Sequence, residues 1–195
     1  MSPTTFGITE FQLVLLRRMA DYNPELVEQA RARLGASTTD MRETNAHWQR
    51  MNRSRTFRLT TSALRGFLGD PLAETERVAG KAGLRFHVTR WKLPLWPDLR
   101  LEAVAGPDGA LLDYGLSRDP GCPAPKLHRL ADLEPWTCVI GDVATAFRPA
   151  RLREGSAPSR TELLFTAPDE GGESVPARAE FVYGLLQHAG RFDVM

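Results

Sequence analysis

The chain has 195 residues, 42% hydrophobic and 25% charged, with a formal net charge of +1. That length and balance exclude wholesale disorder and a uniformly basic coat protein, and they allow one large domain or two small ones. Any attraction for a polyanion must therefore be patchy.

There are 22 arginines and three lysines, Lys81, Lys92 and Lys126. The excess over the whole chain reads as the composition of a GC-rich genome, so only the clustering of arginine carries functional information. Cys122 and Cys138 form no CxxC pair and no metal spacing, as in a reduced thiol pair. No apolar run approaches the roughly 18 residues of a membrane span. Met1 to Gly7 lacks the basic and apolar regions of a signal peptide, so a soluble cytoplasmic protein is expected.

In chain order, Thr9-x-x-Gln12 has capping-box form and opens a helix with Phe11, Val14, Leu15 and Met19 on one stripe. The string Gln12-Leu13-Val14-Leu15-Leu16 also resembles the short peptides that dock on sliding clamps, but an apolar stripe at this period reads as core. Asn23-Pro24 starts a second helix that Gly35 ends. A third is expected from Asp40, capped by that residue with Glu43 completing the box. A short helix is expected from Thr61, broken at Gly69-Asp70-Pro71. Another is expected from Asp70 to Gly83. The two resemble a helix-turn-helix poorly, because the second is nearly charge-neutral and offers few base-reading side chains.

From Gly83 the period changes to two. Leu84, Phe86 and Val88, then Leu99, Leu101 and Ala103, then Leu112, Tyr114 and Leu116 predict a three-strand antiparallel meander. The Pro-rich stretch 91–97 is expected as a loop. Its two tryptophans beside Arg90 and Lys92 either stack single-stranded bases or fold against the sheet. Pro135 opens an expected helix with Trp136, Val139, Ile140, Val143 and Phe147 on one face. Residues 148–160 are expected as loop, 161–166 as a fourth strand, and Ser174 and Pro176 as the start of a final helix carrying Phe181, Val182, Leu185 and Leu186.

The expected fold class is therefore α+β: a helical N-terminal half, then a small antiparallel sheet packed with two amphipathic helices. Residues 1–83 form the helical region, with a basic stretch at 41–69, and residues 84–195 form the α+β region. The two are either separate domains or one continuous domain.

The basic stretch carries the main functional signal. Arg42, Arg50, Arg53, Arg55, Arg58 and Arg65 stand against one acid, Glu43, a net of +5. At about 100° per residue Met41, Trp48 and Met51 fall on one side of a helix and Arg42, Arg50 and Arg53 on another. Guanidinium forks suit phosphate because they donate two parallel hydrogen bonds. Residues 128–195 carry seven arginines and ten acids, so that half is a poor phosphate contact. The four histidines are scattered, and no HExxH, GxGxxG, GxxxxGK[ST] or GxSxG occurs. No catalytic residue, metal or cofactor is implied. The expectation is a non-enzymatic protein that contacts DNA through its phosphate backbone. The alternatives are a protein-interaction or homodimerisation module without nucleic acid, and an enzyme of unrecognised type built from distant residues.

Overall fold

The computed structural model describes residues 6–79 and 83–192. The chain divides into two compact units between Tyr114 and Gly115.

The first unit opens with four helices: α1 (Ile8–Met19), α2 (Pro24–Arg33), α3 (Thr38–Arg53) and α4 (Thr61–Leu68). Helix α1 is the hub and packs against the other three. Phe11, Leu13, Val14, Leu15, Leu16 and Met19 are all buried, which accounts for its stability better than propensity does. The clamp-like string is thus interior. After α4 come β1 (Ala73–Ala79), β2 (Leu84–Leu93), β3 (Trp96–Ala105) and β4 (Leu111–Arg118), hydrogen-bonded in that order, with Gly115–Arg118 of β4 counted in the second unit. Trp91 faces Leu101 and Thr89 faces Ala103 across β2 and β3, and these positions with Leu93 and Leu99 form the buried side of the sheet. The Trp91 indole donates to the Gly69 carbonyl (3.0 Å) at the end of α4. Gln12 on α1 accepts from the Leu95 N–H (2.9 Å) in the β2–β3 turn.

The second unit contains α5 (Ile140–Ala146) and β5 (Arg151–Glu154), β6 (Arg160–Pro168), β7 (Ser174–Val182) and β8 (Leu185–Arg191), again paired in chain order. Its core gathers Val143 of α5 and Phe147, the residue that ends that helix, with Leu163, Phe165, Ala177, Ala179 and Phe181 of the sheet. Phe147 stacks on Phe165 with centroids 5.2 Å apart. Asp142 is buried and bound by Arg118 (2.7 Å) and by the Val139 N–H (3.0 Å). A buried carboxylate is tolerable only with such partners.

The fold is mixed α+β, but strands take far more of the chain than the sequence suggests. The helical N-terminal segment ends at Leu68, and two four-stranded antiparallel sheets replace the single small one. The helix expected from Asp70 is the edge strand β1 as far as Ala79; residues 80–82 and Lys81 lie outside the described residues. The expected loop at 91–97 is mostly strand, with Leu93 paired to Trp96 around a tight turn holding Pro94 and Leu95. The helix expected from Pro135 is only α5. Trp136 has φ of +67°, its N–H bonds to Leu186, and Leu186 returns a bond to Cys138. The would-be first turn therefore spends its backbone groups on β8. The expected loop at 148–160 contains β5.

The final helix is absent; its residues form the β7–β8 hairpin. Tyr183 (φ +48°) and Gly184 (φ +79°) make a two-residue turn of the kind that suits strand twist. Val182 then faces Leu185, and Phe181 faces Leu186. The four residues of these pairs stand three and four apart across the turn (182 to 185, 181 to 185, 182 to 186), which mimics a helical stripe.

Candidate nucleic-acid interface

Helix α3 starts two residues before the expected cap. Ser37 is the N-cap, accepting from the Asp40 N–H (3.1 Å), while Asp40 accepts from the Ser37 N–H (2.7 Å). The Ser37 backbone N–H, followed by its hydroxyl, holds the Asp40 carboxyl below the usual carboxylate range. The helix is fixed in rotation by Trp48, which is 4% exposed. Phe6 stacks on Trp48 at 5.4 Å, and Phe11, Phe57 and Phe67 meet it edge-on.

With Trp48 inward, Arg42, Arg53 and Arg50 fall within an arc of about 80° and lie about 120–160° around the helix from it. All three are exposed. From Arg42 to Arg53 the backbone rises about 16 Å, since each helical residue adds about 1.5 Å. The chain then leaves the helix at Ser54, whose hydroxyl pairs with that of Thr56 (2.8 Å). Arg55 and Arg58 are exposed on this segment, while Phe57 between them turns inward against Trp48 and Phe67. Thr60 caps α4 through the Ala63 N–H (3.1 Å).

The structure thus brings Arg42, Arg50 and Arg53 to one helix face, with Arg55 and Arg58 following in the exposed segment. Arg65 differs, because it forms an ion pair with Glu74 on β1. Both partners are about half exposed, so solvent weakens that pair. Among the described residues, Arg42, Arg50, Arg53, Arg55 and Arg58 enter no ion pair.

Helix α1, the α2–α3 turn and α3 border a cavity of about 490 Å³ lined by Phe6, Leu13, Leu34, Glu43 and His47 and by Arg50 of the row itself. Two further carboxylates at its wall, Glu10 and Asp40, are engaged in capping Gly7 and Ser37. Elsewhere, Glu74, Glu76, His87 and Thr61 border an open hollow of about 430 Å³ on the first sheet, and His87 lies 3.9 Å from Glu76. Both side chains of that pair are more than half exposed, which leaves them hydrated and not set up as a desolvated acid–base couple. Among the described residues, no group of three His, Cys, Asp or Glu side chains could hold a metal ion. Cys122 and Cys138 form no disulfide; burial pushes the Cys138 thiol up to about 11. Among the described residues no helix is long and apolar enough to cross a membrane.

No protein-family model matches the chain, and no curated protein matches it. One solved structure aligns, a candidate beta-lactamase inhibitor protein from Streptococcus mutans. It is 14% identical, covers 73% of this chain and 88% of its own, and superposes with a TM-score of 0.29. A superposition that loose carries no argument about this chain.

Proposed function

We propose that the chain is a non-enzymatic DNA-binding protein that contacts the sugar-phosphate backbone through the arginine face of α3 and the segment after it. The supporting observation is that five of the six clustered arginines are exposed and outside any ion pair among the described residues. A folded chain of near-zero net charge has acids enough to neutralise such a cluster, and here it leaves the guanidinium groups open. Binding of this kind draws on counterion release and falls steeply with salt. The test is DNA affinity at two salt concentrations for the wild type and for an Arg50→Ala, Arg53→Ala, Arg55→Ala triple variant. The triple variant is expected to lose affinity and about 2.7 from the log–log salt slope, at about 0.9 per phosphate contact. Equal affinity in the two proteins removes the site.

A second reading, self-association, is favoured by β1. It is an edge strand, and Leu72 beside it and Val78 on it are 53% and 61% exposed. An open strand edge can recruit another strand through its backbone groups, although Glu74, Glu76 and Arg77 on this one work against it. Light scattering across a concentration series tests this, and a strict monomer counts against it.

A further inference from the structure

We infer that the DNA form bound is the duplex and not the single strand, an inference that rests on the DNA-binding reading above. Proteins that hold single strands without sequence preference combine a cationic track with aromatic faces on which bases stack. This chain has nine Phe, three Tyr and four Trp, and all of them lie among the described residues. Each is buried or half-buried; none is exposed. The rings nearest the arginine row are committed to one another, Trp48 to Phe6, Phe11, Phe57 and Phe67. His47 is exposed, but one face of its ring lies against Phe6 at 5.9 Å. The tryptophans beside Arg90 and Lys92, which on sequence alone could have stacked bases, are 1% and 6% exposed. No Phe, Tyr or Trp ring is exposed as a base-stacking platform, and beside the row only the second face of the His47 ring is left uncovered by the aromatic cluster.

What the surface does offer is a row of exposed arginines whose backbone positions are fixed by the helix. Arg42 and Arg53 are separated by about 16 Å along a helix locked in place by Trp48. Over that distance a duplex axis carries about ten phosphate charges, at one per about 1.7 Å, twice the density of one of its strands. The span also exceeds the roughly 12 Å width of the major groove, so the two ends of α3 can meet phosphates on opposite banks. A single strand has one bank and must be ordered to lie along the row.

The experiment is fluorescence anisotropy with a labelled duplex of about 20 base pairs and with each of its separated strands, at about 50 and 200 mM salt. Wild type is compared with an Arg42→Gln, Arg53→Gln variant, both positions being solvent-facing. The duplex is expected to bind at least about tenfold more tightly than either strand, and the variant to lose about 1.8 from the duplex salt slope. If a single strand binds as tightly as the duplex and the variant weakens it, the arginine face is a DNA site but the inference falls. If neither form binds, or the variant equals wild type on the duplex, the DNA-binding reading falls with it.

Discussion

Gln12 is fully buried on α1, an unusual place for an amide. Its Oε1 accepts from the Leu95 N–H at 2.9 Å, and its Nε2 donates to the Ile8 carbonyl at 3.3 Å. Leu95 is 6% exposed and lies in the tight β2–β3 turn, 83 residues away in sequence. Gln12→Leu keeps the volume but leaves that backbone donor without its acceptor in a dry environment. An orphaned buried donor costs about 1–3 kcal/mol, partly offset by the added apolar burial, so a net loss of about 1–2 kcal/mol is expected. Gln12→Ala adds a cavity and is expected to cost about 2–4 kcal/mol. Gln12→Glu retains an acceptor but buries a carboxylate. Its folded-state pKa is raised, so its penalty is present at neutral pH and shrinks as pH falls and the acid is protonated. Urea denaturation followed by tryptophan fluorescence reads all three. A Gln12→Leu change within about 0.5 kcal/mol, the level of a surface substitution, refutes the claim that this hydrogen bond ties helix to hairpin.

Gly184→Ala is expected to destabilise by well over 1 kcal/mol, because φ is +79° there and a Cβ would come within 2.6 Å of the Leu116 carbonyl oxygen. Thermal melting checks it. In the native protein at about pH 8, Cys122 is expected to alkylate and Cys138 to resist until denatured, as mass spectrometry of labelled peptides will show. Because burial lifts the Cys138 thiol from 9.0 to about 11, its contribution to stability is intact below about 9 and declines as pH rises through about 11. A Cys138→Ala variant is expected to lack that component of the alkaline decline. Ser37→Ala is expected to cost about 1 kcal/mol through the lost N-cap. Since the Asp40 carboxyl is held low, its contribution is present above the ordinary carboxylate range and lost as pH falls through its folded-state value; in Asp40→Asn that acid-side slope should flatten.

Where local chemistry decided the structure, the sequence was readable. The start of α2 and the burial of Trp48 follow from Pro24 and apolar period. Helix α1, in contrast, begins at Ile8 with Gly7 as its N-cap and Glu10 accepting from the Gly7 N–H, ahead of the expected Thr9-x-x-Gln12 box, whose Gln12 is spent on Leu95 and Ile8. The exposure of the arginines on α3 follows from the same 100° arithmetic. Where pairing decided, it was not. Strand β1 exposes most of its side chains and is held by hydrogen bonds to β2, so its own residues carry little strand signal. Asp70-Pro71 imitated a helix start. The β7–β8 hairpin turns on Tyr183-Gly184 in place of the commoner Asn-Gly, and its facing apolar pairs imitated a helix face. The Arg65–Glu74 pair depends on β1 and could not be foreseen once that segment was read as helix. The inward packing of Trp91 and Trp96 settles which of their two expected environments holds.

In both sheets every strand lies beside the one that precedes or follows it along the polypeptide. Zipping can therefore run hairpin by hairpin, and no strand waits for a distant segment to arrive before it gains a neighbour. The entropy spent closing loops stays low at each step, which favours brisk assembly for a molecule so rich in β-structure. The exception is the clasp between Gln12 and Leu95: it is a late reward, available only once the first helix and the second hairpin both exist.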